Sequence, residues 1–188
     1  MTILCRVLMV YPKFIPNSFW NYTEACELVG AKYPAAPLGL ITVAAMLPTH
    51  WDIRLVNRNT EPLTDADLDW ADLVMIGGML NQQPDFIHLI DLAHLHGKPV
   101  CVGGPDVSSS PHLYADADFQ VIGEAEQVIQ NFIAAWERGE RKGVFIAGII
   151  FALFALGGGA FLRMLGISLG AFSIFGGLLL FLIALEMV

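Results

Sequence analysis

Two unlike architectures are predicted within one chain: a doubly wound α/β domain with a parallel sheet, followed by a two-helix transmembrane hairpin. Three observations predict this. Short apolar runs alternate with helix-like stretches as far as Glu137, a pattern that builds a parallel sheet with helices on both faces. Charge is partitioned: residues 1–143 carry nine Lys/Arg and seventeen Asp/Glu, and beyond them only Arg163 and Glu186 are charged. The boundary itself, Arg138-Gly139-Glu140-Arg141-Lys142-Gly143, is a short polar break.

In chain order, Ile3 to Val10 is an apolar run ended by Tyr11-Pro12 and reads as a buried first strand. Lys13 to Ala36, with Pro16, Asn17, Gly30 and Pro34, reads as an ordered loop holding one short helix over Thr23–Val29. Pro37 suits the first turn of a helix running to Leu47. Trp51 to Val56 alternates as a second strand, and Asp65 to Trp70 is a short acidic helix. Leu73 to Gly78 is the third strand, and Pro84 to His96 a helix stopped by Gly97. Pro99 to Val102 and Phe119 to Ile122 are strands four and five, and Glu124 to Glu137 is the helix after them. The simplest assignment is a flavodoxin-like five-stranded parallel sheet in the order 2-1-3-4-5, with ligands expected at the carboxyl ends of its strands.

From Val144 the pattern is that of lipid. Val144 to Leu162 and Leu169 to Val188 are apolar runs near the about 20 residues of a spanning helix, with Arg163 to Ser168 as a far-side turn. The expected units are residues 1–142 and 143–188. Arg138, Arg141 and Lys142 place the front domain on the cytoplasmic side of an inner (plasma) membrane. Gly166-x-x-x-Gly170 reads as a helix-packing motif or as lipid-facing packing, and Gly157-Gly158-Gly159 as a close-approach stripe.

Composition and motifs exclude several classes. A net charge of −8 with no basic stripe argues against nucleic acid. Cys5, Cys26 and Cys101 are an odd, widely spaced set and read as reduced thiols, with no metal clip among them. No G-x-G-x-x-G leads into a helix and no Gly-Lys-Ser/Thr occurs, which excludes the usual dinucleotide and Walker loops. A phosphoacceptor site is excluded by Tyr11-Pro12 and Gly77-Gly78, which stand where it needs carboxylates. The glycines after strands three and four either make tight turns or let a flat ligand approach bare backbone. Glu124 either favours a helix dipole or lines a ligand rim, and Glu126 follows it in the first turn. His94 and His96 point to different sides of a helix and form no metal pair, and His112, in the loop after the fourth strand, either faces a ligand or is a surface-loop residue. Glu186 reads as interfacial.

An ordered set of segments then carries a resemblance. Val7 to Pro12, Pro37-Leu38-Gly39-Leu40, Arg54 to Asn59, Asp69 to Val74, Val102-Gly103-Gly104-Pro105 and Gly123-Glu124-Ala125-Glu126 together resemble the N-terminal cobalamin-binding domain of radical SAM enzymes, in the branch that includes hopanoid-type methylases. The resemblance covers about residues 3–142. It implies a corrinoid held at the strand ends by Tyr11, Leu38, Gly39, Gly78, Met79, Gly103, Gly104, Pro105, Gly123 and Glu124. The Asp-x-His-x-x-Gly motif, whose His ligates cobalt, is absent after the first strand. The Cys-x-x-x-Cys-x-x-Cys iron-sulfur site of such enzymes is absent as well, so no catalytic residue is assigned and no catalytic activity is expected of this chain alone.

The tail resembles another family. Leu162 to Leu169 and Gly176 to Val188 are similar to an internal segment of the MarC-type integral membrane proteins, a multi-helix bundle of transporter-like character, with Gly170 and Ser173 departing from its pattern. That implies other transmembrane helices as partners. Three readings follow: a cobalamin-binding domain joined to a membrane segment, a MarC-like membrane protein fragment, and a composite of two coding pieces without joint function.

Overall fold

The computed structural model describes residues 4–16, 18, 21–32, 36–166 and 168–186. They fall into two compact units, Met1–Ala147 and Gly148–Val188. Ile3, Asn17, Pro34, Ile167, Met187 and Val188, each placed in an element or loop above, lie outside the described residues.

The first unit is built on six parallel strands: β1 (Arg6–Tyr11), β2 (Asp52–Asn57), β3 (Leu73–Gly77), β4 (Val100–Gly103), β5 (Phe119–Ile122) and β6 (Gly143–Ile146). Their order is β2-β1-β3-β4-β5-β6, every neighbouring pair parallel. The expected five-stranded sheet is therefore corrected to six. The added strand is the stretch Val144-Phe145-Ile146, assigned from sequence to the start of a membrane span. It pairs along β5 from Phe119↔Gly143 to Ile122↔Ile146. Its lone inward side chain, Phe145, stacks on Phe119 at 6.3 Å and meets Phe132 edge-on at 5.8 Å.

Connecting segments cover both faces: α1 (Thr23–Val29), α2 (Leu38–Met46), α3 (Asp65–Trp70), α4 (Gln83–Leu95), α5 (Pro105–Ser109) and α6 (Ala125–Glu137). Side chains alternate across a strand, so β1 feeds two cores. Val7 and Met9 join Leu40, Trp51, Phe132 and Trp136 on one face, whereas Leu8 and Val10 join Leu68, Phe86, Leu89 and Tyr114 on the other. Helix α6 shows why it docks: its buried Val128, Ile129, Phe132, Ile133 and Trp136 recur every three or four residues along one stripe. Thr64 begins α3 with a capping box, its hydroxyl accepting from the Asp67 N–H while the Asp67 carboxylate accepts from the Thr64 N–H.

The cysteines are free and buried. Burial pushes the thiols of Cys5 and Cys101 up to about 12. A raised thiol value means that the folded chain holds the proton more tightly than the unfolded one. The stabilisation is complete below pH 9 and is lost as pH rises toward 12. We expect the urea midpoint to fall steadily above pH 9, and Cys101→Ala to flatten that fall. An equal slope in the variant would contradict the assignment.

The second unit comprises α7 (Ile149–Met164) and α8 (Leu169–Glu186). Among the described residues no helix is long and apolar enough to cross a membrane, which overturns the expected hairpin. Length is the physical reason. At 1.5 Å per residue, 16 residues give about 24 Å and 18 give about 27 Å, against a hydrocarbon core of about 30 Å. Arg163 sits in the last turn of α7 and Glu186 ends α8. Gly166 follows α7 and Gly170 lies in α8, so the Gly166-x-x-x-Gly170 pair is not one helical stripe.

Candidate functional site

The carboxyl edge of the sheet is where the chain passes from strand to loop at the end of each of its six parallel strands. Tyr11 ends β1, Gly78 and Met79 follow β3, Gly103 ends β4, Gly104 and Pro105 open α5, and Gly123 and Glu124 follow β5. Leu38 and Gly39 begin α2, whose Leu40 side chain packs over Gly77: a Cβ on that glycine would lie 3.0 Å from Leu40 Cδ2. All ten residues singled out from sequence thus belong to strand ends or to the elements that start beside them.

The structure explains two of the glycines without any ligand. Gly104 has φ of 109°, and a Cβ there would sit 2.7 Å from the carbonyl oxygen of Gly78. Gly123 has φ of 85°, and its Cβ would sit 2.7 Å from the carbonyl of Ala147. These are backbone-to-backbone contacts that fasten the loops after β3 and β4, and after β5 and β6, to each other. Gly39 differs: a Cβ there meets nothing within 4 Å. Tyr11 is buried, with Phe14 edge-on at 6.1 Å, so it supports the edge from beneath. Glu124 is exposed at the start of α6 and makes no capping hydrogen bond.

Side chains that the sequence did not single out hold this edge. Gln82 is fully buried, donates to the Pro12 carbonyl at 2.6 Å and accepts from the Met79 N–H at 3.0 Å. Asn59 donates to the same Pro12 carbonyl and accepts from the Phe14 N–H, both at 3.0 Å. Asp85 accepts from the Lys13 N–H and from Arg58 Nη1, each at 2.7 Å. The loop after β1 is thereby pinned to β2 and α4. Asn81 lies in the same turn, and both polar atoms of its side chain are buried without a hydrogen-bond partner. Below, Asp106 is buried, accepting from Gln83 Nε2 at 2.9 Å and from the Tyr114 hydroxyl. Burial, then that carboxylate, raises the Tyr114 phenol above its ordinary value.

Gln82→Leu keeps the volume but leaves the Met79 N–H without its acceptor and the Pro12 carbonyl short of one donor. We expect a loss of about 2 kcal/mol, read as a lower urea midpoint. An unchanged midpoint would remove Gln82 from the account.

The histidines form no site here. His94 Nε2 lies 2.9 Å from Asp118, His96 Nδ1 lies 3.0 Å from Asp69, and His112 is exposed. Among the described residues, no three His, Cys, Asp or Glu are grouped to hold a metal.

Around this edge large apolar side chains remain in solvent, among them Leu38 at 69%, Ile41 at 44%, Met79 at 39% and Leu80 at 70% exposed. Over 144 residues the chain is 46% identical to a protein of Synechocystis described as an uncharacterized methyltransferase, a match covering 76% of this chain and 27% of the relative. Over 132 residues it is 35% identical to the hopanoid C-2 methylase of Rhodopseudomonas palustris, covering 69% of this chain and 24% of that protein. The chain matches about a quarter of the length of these relatives. Residues 130–188 match the family described as MarC family integral membrane protein. This chain is similar to two families at once. Both resemblances read from the sequence hold, the second beginning earlier than expected, inside α6.

Proposed function

We propose that the first unit is the corrinoid-holding part of a methylase-like protein. The observation that carries this reading is the apolar carboxyl edge, where Leu38, Ile41, Met79 and Leu80 stand exposed around closely packed glycine loops. A flat macrocycle with an apolar face fits it, because the bare approach at Gly39 leaves room against backbone.

Leu38, Gly39, Gly78, Met79, Gly103, Gly104, Pro105, Gly123 and Glu124 would line that ligand, with Tyr11 beneath. Pro12 and Lys13 follow β1, so this loop supplies no histidine to the cobalt. When bound, the corrinoid supplies a cobalt centre suited to methyl transfer. What this chain contributes is the platform: apolar contacts for one face and fixed backbone at the strand ends. No iron-sulfur cluster is assigned to it.

The test is gel filtration of the full chain mixed with hydroxocobalamin. Corrin absorbance should leave the column with the protein, and corrin eluting only at the small-molecule volume would refute the reading.

The MarC similarity supports membrane association of the second unit. We place the first unit on the cytoplasmic face, in keeping with its three free thiols. The full chain is expected to float with vesicles of phosphatidylethanolamine and phosphatidylglycerol, and full recovery in the unbound fraction would contradict the association. The change of family within one chain favours a second reading, in which the two pieces have no joint function. Corrinoid affinity measured with and without vesicles separates the two: a shift on adding vesicles indicates coupling, and equality favours the composite.

A further inference from the structure

The opposite, amino-terminal edge of the sheet holds a cavity of about 620 Å³, open to solvent, that the corrinoid reading does not use. Its polar lining comes from residues just before four successive strands: Asp72 before β3, Lys98 before β4, Asp118 before β5 and Arg141 before β6. His94 and Trp136 complete it.

The charges in this cavity are unequally matched. Asp72 is taken up by Arg6, whose Nη2 donates to it at 2.7 Å and Nε at 3.1 Å. That hydrogen bond holds the Asp72 carboxyl below its ordinary value, so the carboxylate stays ionised and engaged. Asp118 accepts from the Val100 N–H and faces His94 Nε2, both at 2.9 Å through one oxygen. The two cations make no direct ion pair, although Lys98 is close enough for its charge to act on Asp72. Lys98 Nζ donates to the carbonyl of Asp69 at 3.0 Å, and Arg141 Nη1 donates to the carbonyls of Glu140 at 2.8 Å and Trp136 at 3.3 Å. Neither forms an ion pair among the described residues. The cavity thus carries two cations and two carboxylates, and of these four groups the carboxylates are the ones already taken up by Arg6 and by His94 with the Val100 N–H.

Arg141 is exposed but restrained on one side. Its guanidinium lies 4.2 Å over the Trp136 ring, which limits its rotamers and leaves donors on its fork. A restrained fork and a compact ammonium around one cavity suit an oxyanion of more than one charge. We propose that this cavity binds the phosphate group of a small phosphate-bearing molecule between Lys98 and Arg141. Its volume exceeds that of a bare ion and leaves space for the organic part beside Pro99 and Trp136.

Equilibrium dialysis of the full chain against radiolabelled inorganic phosphate, at low ionic strength, tests this. Saturable binding of one phosphate per chain is expected. Lys98→Ala and Arg141→Ala should each weaken it by about tenfold, whereas Lys98→Arg, which keeps the charge, should retain it. Lys142→Ala, an exposed neighbour outside the cavity, should stay within about twofold of the parent. Circular dichroism confirms that each variant is folded. Absence of saturable binding, or an equal loss in Lys142→Ala, would overturn the proposal, the latter by showing only diffuse attraction to surface charge.

Discussion

Gly104→Ala is expected to lower stability by about 3 kcal/mol and to weaken corrinoid binding at least about tenfold. Two effects combine at this position. With φ of 109° and ψ of −179°, the backbone lies in a region that only glycine occupies comfortably. The added Cβ would also stand 2.7 Å from the Gly78 carbonyl oxygen, and backbone cannot swing aside as a side chain can. Relief requires the loops after β3 and β4 to separate, and these two loops form the middle of the proposed ligand face. Gly39→Ala is the matched control. Its Cβ meets nothing, so stability should hold or rise by about 0.5 kcal/mol, while corrinoid retention falls because the methyl occupies the ligand's side. Loss of stability with unchanged binding in Gly104→Ala would show that the glycines only fasten loops. Denaturant titration and corrin absorption, run on the same samples, separate these outcomes.

Phe132→Ala is expected to cost about 4 kcal/mol. Phe132 is fully buried, meeting Phe119 edge-on at 5.2 Å and Phe145 at 5.8 Å. Truncation leaves a cavity directly behind β6, whose Val144 and Ile146 side chains are more than half exposed and contribute little to holding it. Strand β6 should therefore loosen before the rest of the sheet. Hydrogen exchange at Val144 and Ile146 should accelerate far more than at Val74 in β3. Uniform acceleration across the sheet would mean that β6 is not a separately weakened edge.

Most elements of the first unit were legible because their signals are local. Leu73 to Gly77 is an unbroken apolar run, and Val128 to Trp136 repeats with helical spacing, so neither needs knowledge of its neighbours. Strand β6 was not legible for a related reason. Val144-Phe145-Ile146 runs without a break into the apolar Ala147 to Leu162, and only Phe145 packing between Phe119 and Phe132 separates it from that run. The membrane hairpin was over-read in the same way, from apolarity without the helix length to match it. At the carboxyl edge the glycines could be found by their position after strands. Gln82, Asn59 and Asp85 could not, because their partners lie 70, 45 and 72 residues away and no spacing rule links a buried Gln to Pro12. The amino-edge cavity was hidden similarly, each of its charged residues standing before a different strand.

Hydrogen exchange on the full chain with and without hydroxocobalamin tests the central claim most directly. Protection is predicted in the segments around 38–41, 78–82, 103–106 and 123–125, with the residues before β3, β4 and β5 unchanged. Protection confined to that opposite edge, or no protection at any strand end, would contradict a corrinoid on the carboxyl face.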